Sequence, residues 1–188
     1  MGIYMKKGSF GFTLIELLIV IALLGALAIG LLAALDPFEQ LKKGTDTGTR
    51  NTANEFHGSV IRYYAIKSQM PWCADATCTT VLNSVSDTTP VTLTSATSGT
   101  PNTIQNVVDT GELKKDFVNL AGGQLANIWI TGDNNTQTIR VCFKPTAKSF
   151  RADPNTKYDK NGVLASAGTG ITCPDAANAA AECYYCIQ

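Results

Sequence analysis

Histidine is nearly missing from this chain. Its 188 residues hold one, His57. An imidazole-based catalytic or metal centre would have to form around that single residue. It lies in a stretch that reads as helix, where a packing or surface role is the simpler expectation. Net charge is missing too, with 15 basic and 15 acidic side chains and no basic half, so a nucleic-acid-binding surface gets no electrostatic support. The sequence offers no nucleotide-binding glycine loop, and no Ser or Cys nucleophile with a base at motif spacing. No cofactor is expected, and no enzyme.

Cysteine is absent from the first 70 residues, and all six cysteines follow. An even number confined to the later chain suits a domain exported to an oxidising compartment and stapled by disulfides. The length fits one domain plus an N-terminal anchor, leaving about 130–150 residues to bury a modest core.

The third absence is the most informative. Between Phe12 and Leu35 there is no Lys, Arg or His, yet this 24-residue apolar run contains one acid, Glu16. As a helix it would span about 36 Å, enough for a bilayer core of about 30 Å. A carboxylate in such a segment is expensive. A cleaved secretory signal has a basic end and a shorter apolar core, and this run is too long and carries the acid near its start. A plain membrane anchor explains the length but not Glu16. A third reading neutralises Glu16 with another molecule. If the Gly11–Phe12 bond is cut, Phe12 gains a free amine four residues from Glu16. In helices stacked with a small axial stagger, Glu16 of one subunit then faces the Phe12 amine of the next. An unpaired charge in a low-dielectric core is heavily penalised, so such a pair would set the register of assembly.

The residues that carry a family resemblance are the leader MGIYMKKGSFG, with Lys6 and Lys7 and a terminal glycine, followed by FTLIELLIVIALLG. This stretch resembles the N-terminus of type IV prepilins and of the related type II secretion pseudopilins. The resemblance implies a leader of residues 1–11 removed after Gly11 by a prepilin peptidase, N-methylation of Phe12, and Glu16 as the assembly glutamate. It implies a transmembrane or filament-core helix over 12–36, and a head over 37–188 that continues the helix amphipathically. The implied fold class is α+β: a long N-terminal helix, hydrophobic in its first half, packed on a C-terminal antiparallel sheet. The implied partners are identical subunits in a helical homopolymer, the peptidase, and an inner-membrane assembly platform with its motor. The precursor would sit in the inner membrane with its N-terminus cytoplasmic, and the product in an extracellular pilus. Attachment, motility or DNA uptake would follow at fibre level. A secretion pseudopilin or a minor pilin is the alternative within the assembly class, and a monomeric membrane-anchored domain the alternative outside it. Family members commonly carry a proline eight residues beyond the glycine at Gly25. This chain has Ala33 there, with Pro37 later and an added Gly30. A kink or restart is therefore expected at Asp36–Pro37, with Asp36 as N-cap.

Residues 13–67 read as one long, interrupted helix. Ala53, Phe56, Val60 and Tyr63/Tyr64 recur at helical spacing, Glu39–Lys43 and Asp46–Arg50 are acid-to-base pairs four apart, and Gly44 and Gly48 weaken the middle. Residues 79–103 hold 13 Ser or Thr in 25. They read as a polar surface connection that buries little, with a short strand at 90–94. A helix over 103–120 is expected to break at Gly111, with Thr110 capping a second turn. Runs 127–131 and 137–143 flank turn residues and predict a hairpin. KSFRA and the terminal ECYYCIQ are expected to add strands.

Six cysteines leave many connectivities open. The expected set closes two local loops, Cys73–Cys78 and Cys173–Cys183, and ties the C-terminal strand to the hairpin through Cys142–Cys186. Cys183-x-x-Cys186 has the spacing of metal or redox motifs, but a second such pair, a partner histidine and a following helix are missing. Residues 153–162 offer oxygens from Asp153, Asn155, Asp159 and Asn161, yet Lys157 and the missing glutamate break the EF-hand pattern. Some pseudopilins hold calcium in a C-terminal loop; a solvated turn is the default here. Asn134-Asn135-Thr136 is a lone sequon.

Overall fold

The computed structural model describes residues 11–75, 77–165 and 172–188. The proposed leader falls at 1–10, outside the described residues, apart from Gly11. By its internal contacts the chain divides into Met1–Phe38 and Glu39–Gln188.

In the first unit, helix α1 (Leu14–Ala34) opens on Thr13 and closes on Leu35, which leaves the helix in an extended conformation. None of its residues is buried. Among the described residues it is one helix long and apolar enough to cross a membrane. Helix α2 (Pro37–Lys67) restarts at once. The Phe38 N–H donates to Asp36 Oδ1 at 3.1 Å, so Asp36 caps a helix whose first residue is a proline that has no N–H to satisfy. The glycines at 44 and 48 do not interrupt α2, which runs through both.

The second unit is built around an antiparallel sheet of order β1-β2-β3-β4, with β1 Val91–Thr92, β2 Ile128–Asp133, β3 Thr138–Phe143 and β4 Tyr185–Ile187. The architecture is α+β. Strand alternation explains the two faces. Ile128, Ile130, Ile139, Val141, Phe143 and Tyr185 join Ala53, Phe56, Val60 and Tyr63 of α2 in one core. Phe56 also meets Phe117, with ring centroids 6.3 Å apart. Gly132 lies on this face because Trp72 needs the room: a Cβ there would stand 2.5 Å from the indole.

Several expectations are corrected. KSFRA is not a strand but a short helix, α5 (Lys148–Arg151). The 103–120 stretch does break at Gly111, as expected, into two helices, α3 (Thr103–Asp109) and α4 (Phe117–Ala121). Thr110 closes the first, donating its hydroxyl to the Val107 carbonyl at 2.8 Å, rather than opening the second. The Thr-rich segment buries more than its composition suggests, because Val85, Leu93 and Ala96 enter the core. Asn83 ties the segment together, donating to the carbonyls of Ser95 and Ser98 and accepting from the N–H and hydroxyl of Thr103.

The acid-to-base pairs on α2 also find longer-range partners. Asp46 is 2% exposed. It accepts from the Thr146 N–H at 2.9 Å, the Thr146 hydroxyl at 2.9 Å and the Ala147 N–H at 2.7 Å. Arg50 lies over the Tyr185 ring, 4.8 Å from its centroid. Glu39 takes Lys42 at 3.0 Å and the Lys148 N–H at 2.9 Å. Removing the Asp46 carboxylate orphans two backbone amides, each a desolvated donor worth about 1–3 kcal/mol. Asp46→Ala should therefore lower unfolding stability by about 3 kcal/mol, measured by denaturant titration. Thr47→Ala, on an exposed position of the same helix, should change it by less than about 0.5 kcal/mol.

Candidate functional site

The first turn of α1 is a capping box. The Thr13 hydroxyl accepts from the Glu16 N–H at 3.3 Å. Glu16 Oε2 accepts in return from the Thr13 N–H at 2.8 Å and from the Thr13 hydroxyl at 2.7 Å. T-x-x-E is the sequence form of this motif, and it is the signal overlooked when Glu16 is tested only against cations. The carboxylate therefore has a partner in its own chain, at the helix end where the macrodipole favours negative charge. Both bonds fall on Oε2. Phe12, one residue upstream, is 84% exposed. Gly11, Phe12, Thr13 and Glu16 thus lie within one turn of each other along the chain, with Gly11, Phe12 and Thr13 preceding the first helical residue.

Beyond that turn the helix presents only apolar side chains, all exposed, from Leu17 at 60% to Leu32 at 66%. Gly25 and Gly30 have open space where a Cβ would stand. Burying a Leu or Ile side chain stabilises by about 1.5–3 kcal/mol, so this surface gains strongly from a bilayer or from other helices.

In the second unit the cysteines form three disulfides: Cys73–Cys78, Cys142–Cys186 and Cys173–Cys183. Cys142 and Cys186 stand opposite each other in the β3–β4 ladder. Cys183 and Cys186 belong to different bridges, so their C-x-x-C spacing is not a redox pair. The loop of the first bridge is organised by Asp75, whose carboxylate accepts from the amides of Thr77, Thr79 and Thr80 and from the hydroxyls of Thr77 and Thr79. Those donors hold its carboxyl far below the usual range. Nothing in the sequence marks this residue except an Asp followed by threonines.

In the 153–162 loop, Asp153 accepts from the Asn155 N–H, and Asp159 from the amides of Asn161 and Val163 and the Asn161 side chain. These oxygens serve as turn acceptors, and among the described residues no group of three metal-ligating side chains gathers. Asn134 of the sequon accepts from the Met70 N–H at 3.1 Å, joining the hairpin turn to the end of α2.

A model of the prokaryotic N-terminal methylation motif matches residues 6–32. The motif it matches is that of the class III signal peptide of type IV pilins, and together with the apolar helix it fits a membrane-anchored precursor. The match supports a pilin-like or pseudopilin-type substrate and fits a structural protein rather than an enzyme. No curated protein and no solved structure matches the chain.

His57 is half-buried on α2 and lines a cavity of about 340 Å³ with Ile61, Ile139, Arg140 and Gln188. Burial lowers its pKa from 6.5. The unfolded chain therefore takes up a proton at a higher pH than the folded one. The contribution of His57 to stability is unpenalised above about pH 6.5 and is lost as pH falls toward the lower folded pKa. His57→Gln should flatten the stability profile between about pH 7 and 5 while leaving the loss below about pH 4, which belongs to carboxylates such as Asp75. Thermal melts across that range check it.

Proposed function

We propose that this chain is a structural subunit of a type IV pilus. In this reading it is cut between Gly11 and Phe12 by a prepilin peptidase, N-methylated at Phe12, and polymerised through α1. The observation that carries the reading is a capped, methylation-motif helix of 21 residues that buries none of them. A head domain with three disulfides supports export, since such bonds persist in oxidising compartments.

Glu16 sets the register. Its Oε2 stays on Thr13, and its Oε1 receives the Phe12 amine of the neighbouring subunit once the helices have left lipid for the filament core. The partners are identical subunits, the peptidase, and an inner-membrane platform with its motor. The precursor spans the inner membrane with its leader cytoplasmic, and the product is extracellular. Attachment, motility or DNA uptake are properties of the fibre, not of a chemical site in the subunit.

Mass spectrometry of fibres sheared from intact cells tests the reading. The expected N-terminal peptide begins at N-methylated Phe12 in an abundant band. Processed chain confined to the envelope would instead indicate a pseudopilin or a minor subunit, and an intact Met1 start in sheared material would sink the processing scheme. In parallel, Glu16→Ala should leave cleavage at Gly11 intact but reduce sheared fibre by about tenfold or more, the scale expected when a buried charge loses its partner. Normal fibre yield from that variant would remove the pairing.

A further inference from the structure

Where α2, the start of β2 and α5 come together, the second unit holds a cavity beside a buried cation. Arg151 of α5 is the only buried cation among the described residues, 8% exposed. Its Nη1 donates to the Thr146 carbonyl at 2.7 Å and its Nη2 to the Ala176 carbonyl at 2.9 Å. Nε is sealed from solvent and has no acceptor. No carboxylate forms an ion pair with it among the described residues. Asp46, which lines the same cavity, spends its oxygens on Thr146 and Ala147. The residues lining the adjoining cavity carry three cations, Lys42, Lys144 and Arg151, against one carboxylate, Asp46, so its wall is net positive, and in a poorly solvated site that field is felt over several ångströms.

That field opens onto a cavity of about 480 Å³, within the size range of small-molecule sites. One wall is Trp129, half-buried on the sheet's outer face, and Tyr184 lies beside it. Thr45, Thr49 and Asn127 supply hydroxyl and amide groups. At the rim, Lys144 is held by Glu182 at 2.9 Å and by the Ala180 carbonyl at 3.3 Å, with the Glu182 side chain 56% exposed. An exposed pair of this kind is worth about 0–1 kcal/mol, so it opens readily to a competing carboxylate. Lys160 stands over the same indole, 5.6 Å from its centroid.

We propose that this cavity is a binding site for an acidic sugar, a hexuronate whose ring lies on Trp129 and whose carboxylate faces the Arg151 and Lys144 side. The aromatic wall takes the C–H face of a pyranose, the Thr and Asn side chains take hydroxyls, and the net positive lining selects the acid over a neutral sugar. The site lies wholly within the second unit.

Saturation-transfer NMR on the full chain in zwitterionic micelles, titrated with glucuronate, glucose and acetate, tests it. Glucuronate should bind saturably, with glucose and acetate each at least about tenfold weaker. Lys144→Glu and Trp129→Ala should each weaken glucuronate by about tenfold, roughly 1.4 kcal/mol. Trp129→Phe, which keeps a ring, should stay within about threefold of the parent, so a loss in Trp129→Ala alone is a loss of the platform and not of the fold. Equal binding of glucose and glucuronate, no saturable glucuronate binding, or unchanged affinity in both Lys144→Glu and Trp129→Ala would overturn the proposal.

Discussion

A 21-residue helix, apolar but for Glu16, that buries none of its residues cannot be left in water, and the use of this chain follows from that constraint. The exposed side chains of α1 are each worth about 1.5–3 kcal/mol on burial, far more in total than the marginal stability of an ordinary domain. The helix must be solvated by lipid or by other helices throughout its life. One carboxylate within it then becomes a liability in either environment unless something meets it. The capping box meets it locally. Thr13 supplies two donors to Oε2 while satisfying the Glu16 amide, so the acid sits at the one end of the helix where unpaired N–H groups and the dipole both favour it.

The head depends on a smaller version of the same problem. Asp46 is sealed in the interior, and its three donors come from residues a hundred positions away, at the start of α5. They fix where α2 lies against the loop that follows β3. The i,i+4 pattern that suggested an Asp46–Arg50 pair was real as spacing but lost to a stronger competitor: the buried carboxylate is met by two backbone amides and a hydroxyl. Arg50, released, stacks on Tyr185.

What was legible in the sequence was whatever local chemistry decides. The apolar run, the restart at Asp36–Pro37, the stripe Ala53–Phe56–Val60–Tyr63 and the β2–β3 hairpin all follow from short-range rules, and all appear. What was not legible was set by distant partners. KSFRA looks like a strand by composition. It folds as a helical turn because Glu39 and Asp46 of α2 accept from the amides at its beginning. The Thr-rich segment looks solvated, yet Asn83 holds it in place so that Leu93 and Ala96 enter the core. Arg151 gave no signal at all. Its burial follows from how α5 sits, and that placement is itself a long-range result.

The capping box and the proposed intermolecular pair are complementary, because a carboxylate has two oxygens. A charge waiting in lipid must be stabilised before its partner arrives, or insertion fails. It must also keep an acceptor free, or the partner brings nothing. Thr13 occupies Oε2 alone, which satisfies the first requirement without cancelling the second. Any residue at position 13 lacking a hydroxyl would keep the helix but loosen the carboxylate that the neighbouring amine has to find. The register of a filament would then rest on a flexible side chain rather than on one already fixed by its own helix.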